Sequence, residues 1–219
     1  METPIVRLSE EELERVYEPA EDSYLLIDAL ELDLEKLKLS KPSLCLEIGS
    51  GSGIVSTALA LAAAKSWPSY FVAIDLNPEA CKITKRTGRE NNIDLEVVRM
   101  DLASALSKRH TFDLIIFNPP YVVTESREIE DVEMITRAWA GGKKGREVMD
   151  RLFANIPQLL TDHGLFYLLV LRENEPNEII TIFEAFQMSG EIIVERKIRG
   201  EHLYVIRFTK VPLEAESSL

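Results

Sequence analysis

The residues with the strongest claim to chemistry are Asn118-Pro119-Pro120-Tyr121, which follow the apolar run Phe112 to Phe117. Two consecutive prolines fix φ and remove two amide donors. The Asn118 side-chain oxygen and a neighbouring backbone carbonyl are left as acceptors without competing local donors. Two rigid acceptors can grip both hydrogens of a planar –NH2 group, and Tyr121 can lie against its flat face. An amide or aromatic amine nitrogen is a poor nucleophile because its lone pair is delocalised. Drawing both hydrogens into hydrogen bonds aims that lone pair at an electrophile, so orientation and proximity lower the barrier without a strong base. A rigid Pro–Pro turn without a chemical role is the alternative reading.

Three more polar positions follow apolar runs in the same way. Glu47 precedes Gly49-Ser50-Gly51-Ser52-Gly53, Asp75 ends the run from Tyr70, and Asp101 follows Leu95 to Val98. If those runs are parallel strands, all four polar residues share the sheet edge where ligands bind in open α/β folds. The glycine turn lets backbone approach a ligand closely, although a plain strand-to-helix turn would read the same. A dinucleotide fingerprint is G-x-G-x-x-G. Here the third glycine comes one residue early, and Glu47 would repel a phosphate. A cationic ligand with a ribose and no phosphate fits better, and S-adenosylmethionine has a sulfonium, an ammonium and a ribose. Asp75 then accepts from the ribose hydroxyls, or else caps the next helix. Asp101 and Leu102 would flank the adenine, with the N-cap of a helix over 102–107 as the alternative for Asp101. The lone pair held at Asn118 would face the methyl donor.

The elements that must position these residues alternate along the chain. A helix begins near Pro19 and runs through residue 37, with Leu25, Leu26, Ala29 and Leu30 at helical spacing. Strands are expected over 43–48, 70–74, 95–98, 112–117 and 165–171, and helices over 54–65, 79–91, 147–160 and 178–188. Asp162-His163-Gly164 ends the helix over 147–160. Strands over 192–197 and 203–208 close the chain as an antiparallel pair joined through Arg199-Gly200-Glu201. Strand–helix alternation predicts an α/β fold with a mainly parallel seven-stranded sheet and helices on both faces. Residues 1–16 read as an extension, 17–210 as one domain and 211–219 as a flexible tail.

Together these residues resemble the class I, Rossmann-like S-adenosylmethionine-dependent methyltransferases, and more narrowly the HemK-type glutamine N5-methyltransferase family. The resemblance covers residues 16–210 and rests on CLEIGSGSG (45–53), AIDLNPEA (73–80) and DLIIFNPPYV (113–122). The NPPY tetrapeptide is shared with adenine and cytosine amine methyltransferases, so it specifies nitrogen chemistry and not the substrate. YEPAEDSYLLIDAL (17–30) and AWAGGKKGREVMDRLF (138–153) are similar to the eukaryotic and archaeal branch, and the N-terminal helical domain of bacterial members is expected to be absent. The resemblance implies methylation of the glutamine in the Gly-Gly-Gln motif of the class I translation termination factor. It implies that Asn118, Pro119, Pro120 and Tyr121 hold that amide, and that Tyr17 to Ser23 closes over the cofactor with Glu21 and Ser23 nearby. Glu47, Gly49, Gly51 and Gly53 would complete the cofactor site with Asp75, Leu76, Asp101, Leu102 and Asn118. A small zinc-binding activator protein is the implied partner, docked beside the third strand; ordinary core packing of that strand is the alternative.

Composition narrows the rivals. With 25 Lys and Arg against 37 Asp and Glu, the net charge is −12, a poor basis for binding a phosphate backbone. This disfavours a DNA or RNA amine methyltransferase. A lysine methyltransferase acting on a basic tail such as a histone needs deprotonation that NPPY does not supply. Cys45 and Cys81 make no disulfide framework and read as buried apolar residues. The histidines 110, 163 and 202 form no zinc spacing, and His163 reads as a helix C-terminal residue. Arg137, Lys143 and Lys144 either steer a substrate or order the rim, or lie on a solvated loop. No signal peptide or spanning segment is present, which predicts a cytoplasmic protein, with the nucleus as a second compartment.

Overall fold

The computed structural model describes residues 1–130, 133–198 and 200–212. Among them, one seven-stranded sheet is built from β1 (Leu44–Ile48), β2 (Tyr70–Asp75), β3 (Glu96–Arg99), β4 (Phe112–Phe117), β5 (Leu160–Leu171), β6 (Met188–Ile198) and β7 (Glu201–Lys210). The order is β3-β2-β1-β4-β5-β7-β6. β1 to β5 pair in parallel, and β7 lies antiparallel to both β5 and β6. The central strands are apolar nearly throughout, as parallel strands covered on both faces must be. The expected mainly parallel sheet with an antiparallel closing strand is present, with β7 inserted inside β6. The tail expected at 211–219 lies, from residue 213 on, outside the described residues, as does Arg199.

The chain steps from β1 outward to β2 and β3, then returns to lay β4 on the other side of β1. Between β1 and β4 the strand order therefore reverses, with Ile48 beside Phe117. A crevice opens at such a reversal, beyond the carboxyl ends of the strands. The glycine turn and Asn118 are the first residues past those two ends.

The helices are α1 (Glu10–Leu13), α2 (Glu21–Leu32), α3 (Leu34–Ser40), α4 (Ile54–Ala64), α5 (Pro78–Glu90), α6 (Met134–Arg137), α7 (Glu147–Phe153), α8 (Ile156–Leu159) and α9 (Pro176–Glu184). α4 is small and apolar, with Ala58 and Leu59 fully buried beneath the glycine turn. Beyond β5 the core is aromatic: Phe183 stacks on Phe208 with centroids 4.1 Å apart, and Phe153, Phe166 and Phe186 also contact the Phe183 ring. No described helix is long and apolar enough to cross a membrane.

Several boundaries differ from expectation for local reasons. The first long helix breaks at Asp33, whose carboxylate is taken by the Tyr167 hydroxyl at 2.7 Å and by the Arg207 guanidinium. The helix expected over 147–160 splits into α7 and α8 around Ala154 and Asn155. β5 starts at Leu160, so His163 and Gly164 lie in a strand and not at a helix end. At Gly164 a Cβ would stand 3.0 Å from the Phe112 carbonyl oxygen and 2.8 Å from the Leu160 side chain, a tight fit that favours glycine beside the β4 register shift there. α9 stops at Glu184 and β6 begins at Met188, with Gln187 between them at φ 58°, and Gly190 within the strand leaves room for the Phe208 ring: a Cβ would stand 2.7 Å from it. The N-terminal extension is tied down. Ser9 and Glu12 form a capping box on α1, Glu12 pairs with Arg86 of α5, and Val16 packs on Ala80 and Ile83.

Candidate active site

The first wall of the crevice is the glycine turn. Gly49, Gly51 and Gly53 all take positive φ, at 67, 53 and 78°. At Gly51 a Cβ would meet no atom within 4 Å, whereas at Gly53 it would stand 2.8 Å from the Thr84 Cα. Gly51 therefore faces open space, and Gly53 is a packing glycine that lets α4 close on α5. Asp75 holds the turn from the next strand, accepting from the Gly51 amide at 2.9 Å and the Asn77 amide at 2.8 Å. The capping role considered for Asp75 belongs to Asn77, whose side chain accepts from the Glu79 amide. Glu47 is buried on the same edge and accepts from the Ser56 amide at 3.0 Å and from the Ser56 hydroxyl. Burial raises its carboxyl to about 7, although the Ser56 bonds pull the other way. Burial also raises Asp75.

The second wall is the turn after β4. Asn118 donates from Nδ2 to Oδ2 of Asp22 at 2.9 Å, and the Tyr121 hydroxyl donates to the same oxygen at 3.3 Å. The Asn118 Oδ1 is buried and has no hydrogen-bond partner, an expensive state for a polar atom and the state expected of a substrate acceptor. Burial and the Asp22 charge raise the Tyr17 phenol to about 12 and Tyr121 further. Both stay protonated near neutrality, so neither serves as a general base. Asp22, one residue from the expected Glu21, did not stand out in the sequence. The signal was helical spacing: Asp22 lies three, four and seven residues before the buried Leu25, Leu26 and Ala29.

Between the walls lies a cavity of about 370 Å³. The structure brings Tyr17, Ser23, Glu47, Gly49, Gly51, Asp75, Leu76, Asp101, Leu102 and Asn118 to Tyr121 into its lining, together with Asp22, Arg137, Trp139, Arg151 and Glu201. Glu21 and Gly53 are not in the lining. Glu21 turns outward to pair with Arg196, which also pairs with Asp28 about two turns along α2. Asp101 pairs with Arg151 at 2.5 Å. The segment after it is a turn and not the helix considered over 102–107, with Leu102 at φ 49°. Lys144 pairs with Glu175 and Glu178, which leaves Arg137 as the residue of that basic group that reaches the cavity. Cys45 is buried, and Cys81 is half-buried with its thiol on the Asp75 carbonyl.

A reversal-point crevice with a carboxylate-latched glycine turn on one side and a prolyl-rigidified amide on the other defines a methyltransferase of the doubly wound α/β class. The model of the methyltransferase small domain family matches residues 22–141. Over 89% of this chain and 90% of its partner, 45% of residues are identical to methyltransferase HEMK2 of Homo sapiens. The catalytic subunit mtq2 of the eRF1 methyltransferase of Schizosaccharomyces pombe is 33% identical over 96% of both chains. The solved Mtq2–Trm112 complex of E. cuniculi, described as responsible for methylating the eRF1 translation termination factor, superimposes with a TM-score of 0.68 at 31% identity, over 90% of this chain and 99% of that one. The chain belongs to the methyltransferase small domain family and, within it, groups with the HEMK2 and Mtq2 methyltransferases.

Proposed function

We propose that this chain transfers a methyl group to the side-chain amide nitrogen of a glutamine in a translation termination factor; its Schizosaccharomyces pombe relative is named an eRF1 methyltransferase catalytic subunit and its Methanocaldococcus jannaschii relative a putative protein N5-glutamine methyltransferase. The observation that carries the reading is the buried, unpartnered Asn118 Oδ1, whose amide nitrogen is already taken by Asp22. One face of Asn118 is thereby committed to accepting a hydrogen from outside the chain. The site supplies no neutral amine base, which suits a substrate nitrogen needing orientation more than deprotonation.

S-adenosylmethionine is the cofactor this lining fits, and when bound it would supply an electrophilic methyl carbon bonded to its sulfonium sulfur, which leaves as a neutral thioether. Asp75 and Leu76 would hold its ribose side, Glu47 its cationic end, and Gly49 and Gly51 would let backbone approach it. Tyr17 and Ser23 would cover it, and Asp101 with Leu102 would flank its adenine. The chain's own work is to hold the substrate amide: Asn118 Oδ1 accepts one hydrogen, the prolyl backbone withholds competing donors, and Tyr121 backs the plane.

A small zinc-binding activator belongs to the same proposal, because β3 is a sheet edge and Val98 on it is 42% exposed. Such edges accept a strand from another chain, and the E. cuniculi relative is in complex with Trm112. We infer a cytoplasmic location, where termination factors act. The test is to incubate the chain and its activator with labelled S-adenosylmethionine and a termination factor. Label confined to the Gly-Gly-Gln glutamine supports the reading, and label that persists when that glutamine is replaced overturns it.

A further inference from the structure

Asn174 lies outside every motif that marks the site, in the short 3-10 turn Arg172–Asn174 that follows β5. It is fully buried. Its Oδ1 accepts from the Leu171 amide at 2.6 Å, and its Nδ2 donates to the Tyr121 carbonyl at 2.9 Å and to the Lys144 carbonyl at 2.8 Å. One side chain thus ties together the end of β5, the turn after β4 and the loop that carries Lys144. Both amide hydrogens and one lone pair of the oxygen are used, and their polarity allows only one orientation of the amide.

The loop is shaped to permit this contact. Gly145 has φ 65°, and a Cβ there would stand 2.0 Å from the Tyr121 carbonyl oxygen and 2.5 Å from Asn174 Nδ2. The same loop pairs backbone to backbone with the segment after Tyr121: the Val122 amide donates to Trp139, the Gly141 amide to Val122 and the Thr124 amide to Gly142. Asn118 and Tyr121 reach Asp22 from one side of the turn, while Asn174 fixes the Tyr121 carbonyl from the other.

We propose that Asn174 is a positioning residue for methyl transfer: it sets the depth and tilt of the Asn118–Tyr121 turn without touching substrate or cofactor. The inference rests on the reading of that turn as the amide grip. Its effect should fall on the chemical step, because the hydrogen bonds of Asn174 go to Leu171, Tyr121 and Lys144 and not to the glycine turn or Asp75 that frame the cofactor side of the cavity.

The test uses the chain co-purified with its activator, and measures turnover on the termination factor and S-adenosylmethionine binding by calorimetry. Asn174→Asp keeps the acceptor for the Leu171 amide and sets an oxygen against two carbonyls; Asn174→Ala removes all three bonds. Gly145→Ala keeps the Asn174 side chain but forces a Cβ against both the Tyr121 carbonyl oxygen and Asn174 Nδ2 from the loop side. The expected result is a fall in kcat of tenfold or more in all three, with the cofactor Kd within twofold of the parent. Should Asn174→Ala lose its fold, judged by circular dichroism, the other two variants decide. A kcat within twofold of the parent, or equal loss of kcat and cofactor affinity, overturns the proposal. A parent complex without glutamine-dependent turnover overturns the substrate reading itself, an outcome distinct from an active parent beside unaffected variants.

Discussion

The Asp22 carboxylate takes a hydrogen from the Asn118 amide at 2.9 Å and so decides which end of that amide faces the cavity. An asparagine side chain turned by 180° about its last bond would present a donor where the reaction needs an acceptor. The Asp22 oxygen forbids this, since it accepts from nitrogen and would repel the amide oxygen. Hydrogen bonds to charged groups contribute about 1.5–3 kcal/mol, so Asp22→Ala should cut kcat by roughly ten- to a hundredfold at ~1.4 kcal/mol per tenfold. Steady-state kinetics with saturating S-adenosylmethionine checks this. Unchanged kcat would show that the amide holds its orientation without Asp22.

Asn118→Ala removes the grip itself. It should abolish detectable turnover and leave S-adenosylmethionine binding nearly intact, because Glu47, the glycine turn and Asp75 stay in place. Calorimetric titration beside an end-point label assay separates the two effects. Loss of cofactor binding equal to the loss of turnover would contradict the assigned role.

The sheet and both walls of the cavity were legible because their signals are local. Strand-length apolar runs, a glycine cluster and a Pro–Pro pair each constrain backbone within a few residues. Asp22 was harder to see because two adjacent carboxylates compete in the first turn of α2, and only the helical phase separates the buried Asp22 from Glu21, which pairs with Arg196. Asn174 was not legible at all. Its three partners are Leu171, Tyr121 and Lys144, and two of them lie 53 and 30 residues away, so its role exists only after the sheet has closed. The start of β6 was misplaced because Gly190 reads as a helix stop, whereas its purpose is to clear the Phe208 ring.

Two glycines of one turn should respond differently to the same methyl group. Gly53→Ala forces a Cβ against the Thr84 backbone at 2.8 Å, adding a steric cost to the ~1–2 kcal/mol of left-handed strain, and should lower Tm without selectively harming cofactor affinity. Gly51→Ala carries the strain alone and places its methyl in open space at the cavity wall. It should weaken S-adenosylmethionine binding at a smaller cost in Tm. Thermal denaturation and calorimetry of the pair test the contrast, which fails if both variants move both quantities alike.

Charge on the outer strand should act on assembly and not on folding. Val98 lies on β3 at the sheet edge, 42% exposed, so Val98→Lys costs the isolated chain within about ±0.5 kcal/mol, as exposed substitutions do. If a partner strand covers this edge, the lysine would be buried against it, and the yield of co-purified activator should fall at least tenfold. An unchanged yield would place the partner elsewhere.

Glu47 gives the site a pH signature with a definite sign. Burial raises its carboxyl from 4.5 to about 7. Between those values the folded chain holds a proton that the unfolded chain has released, so this group makes stability fall as pH rises, and the loss is complete above about 7. The interval corresponds to about 3 kcal/mol at ~1.4 kcal/mol per pH unit. Glu47→Gln lacks this titration, so its stability relative to the parent should climb between about pH 5 and 7 and then level off, as read from denaturant midpoints across that range. Cofactor affinity should show the opposite trend in the parent. A cationic ligand favours the ionised carboxylate, so binding should strengthen severalfold from pH 6 to pH 8 and release a proton, measurable by calorimetry in buffers of different ionisation enthalpy. In Glu47→Gln that dependence should vanish, and a parent whose affinity is flat over the same range would remove Glu47 from the cationic end of the site.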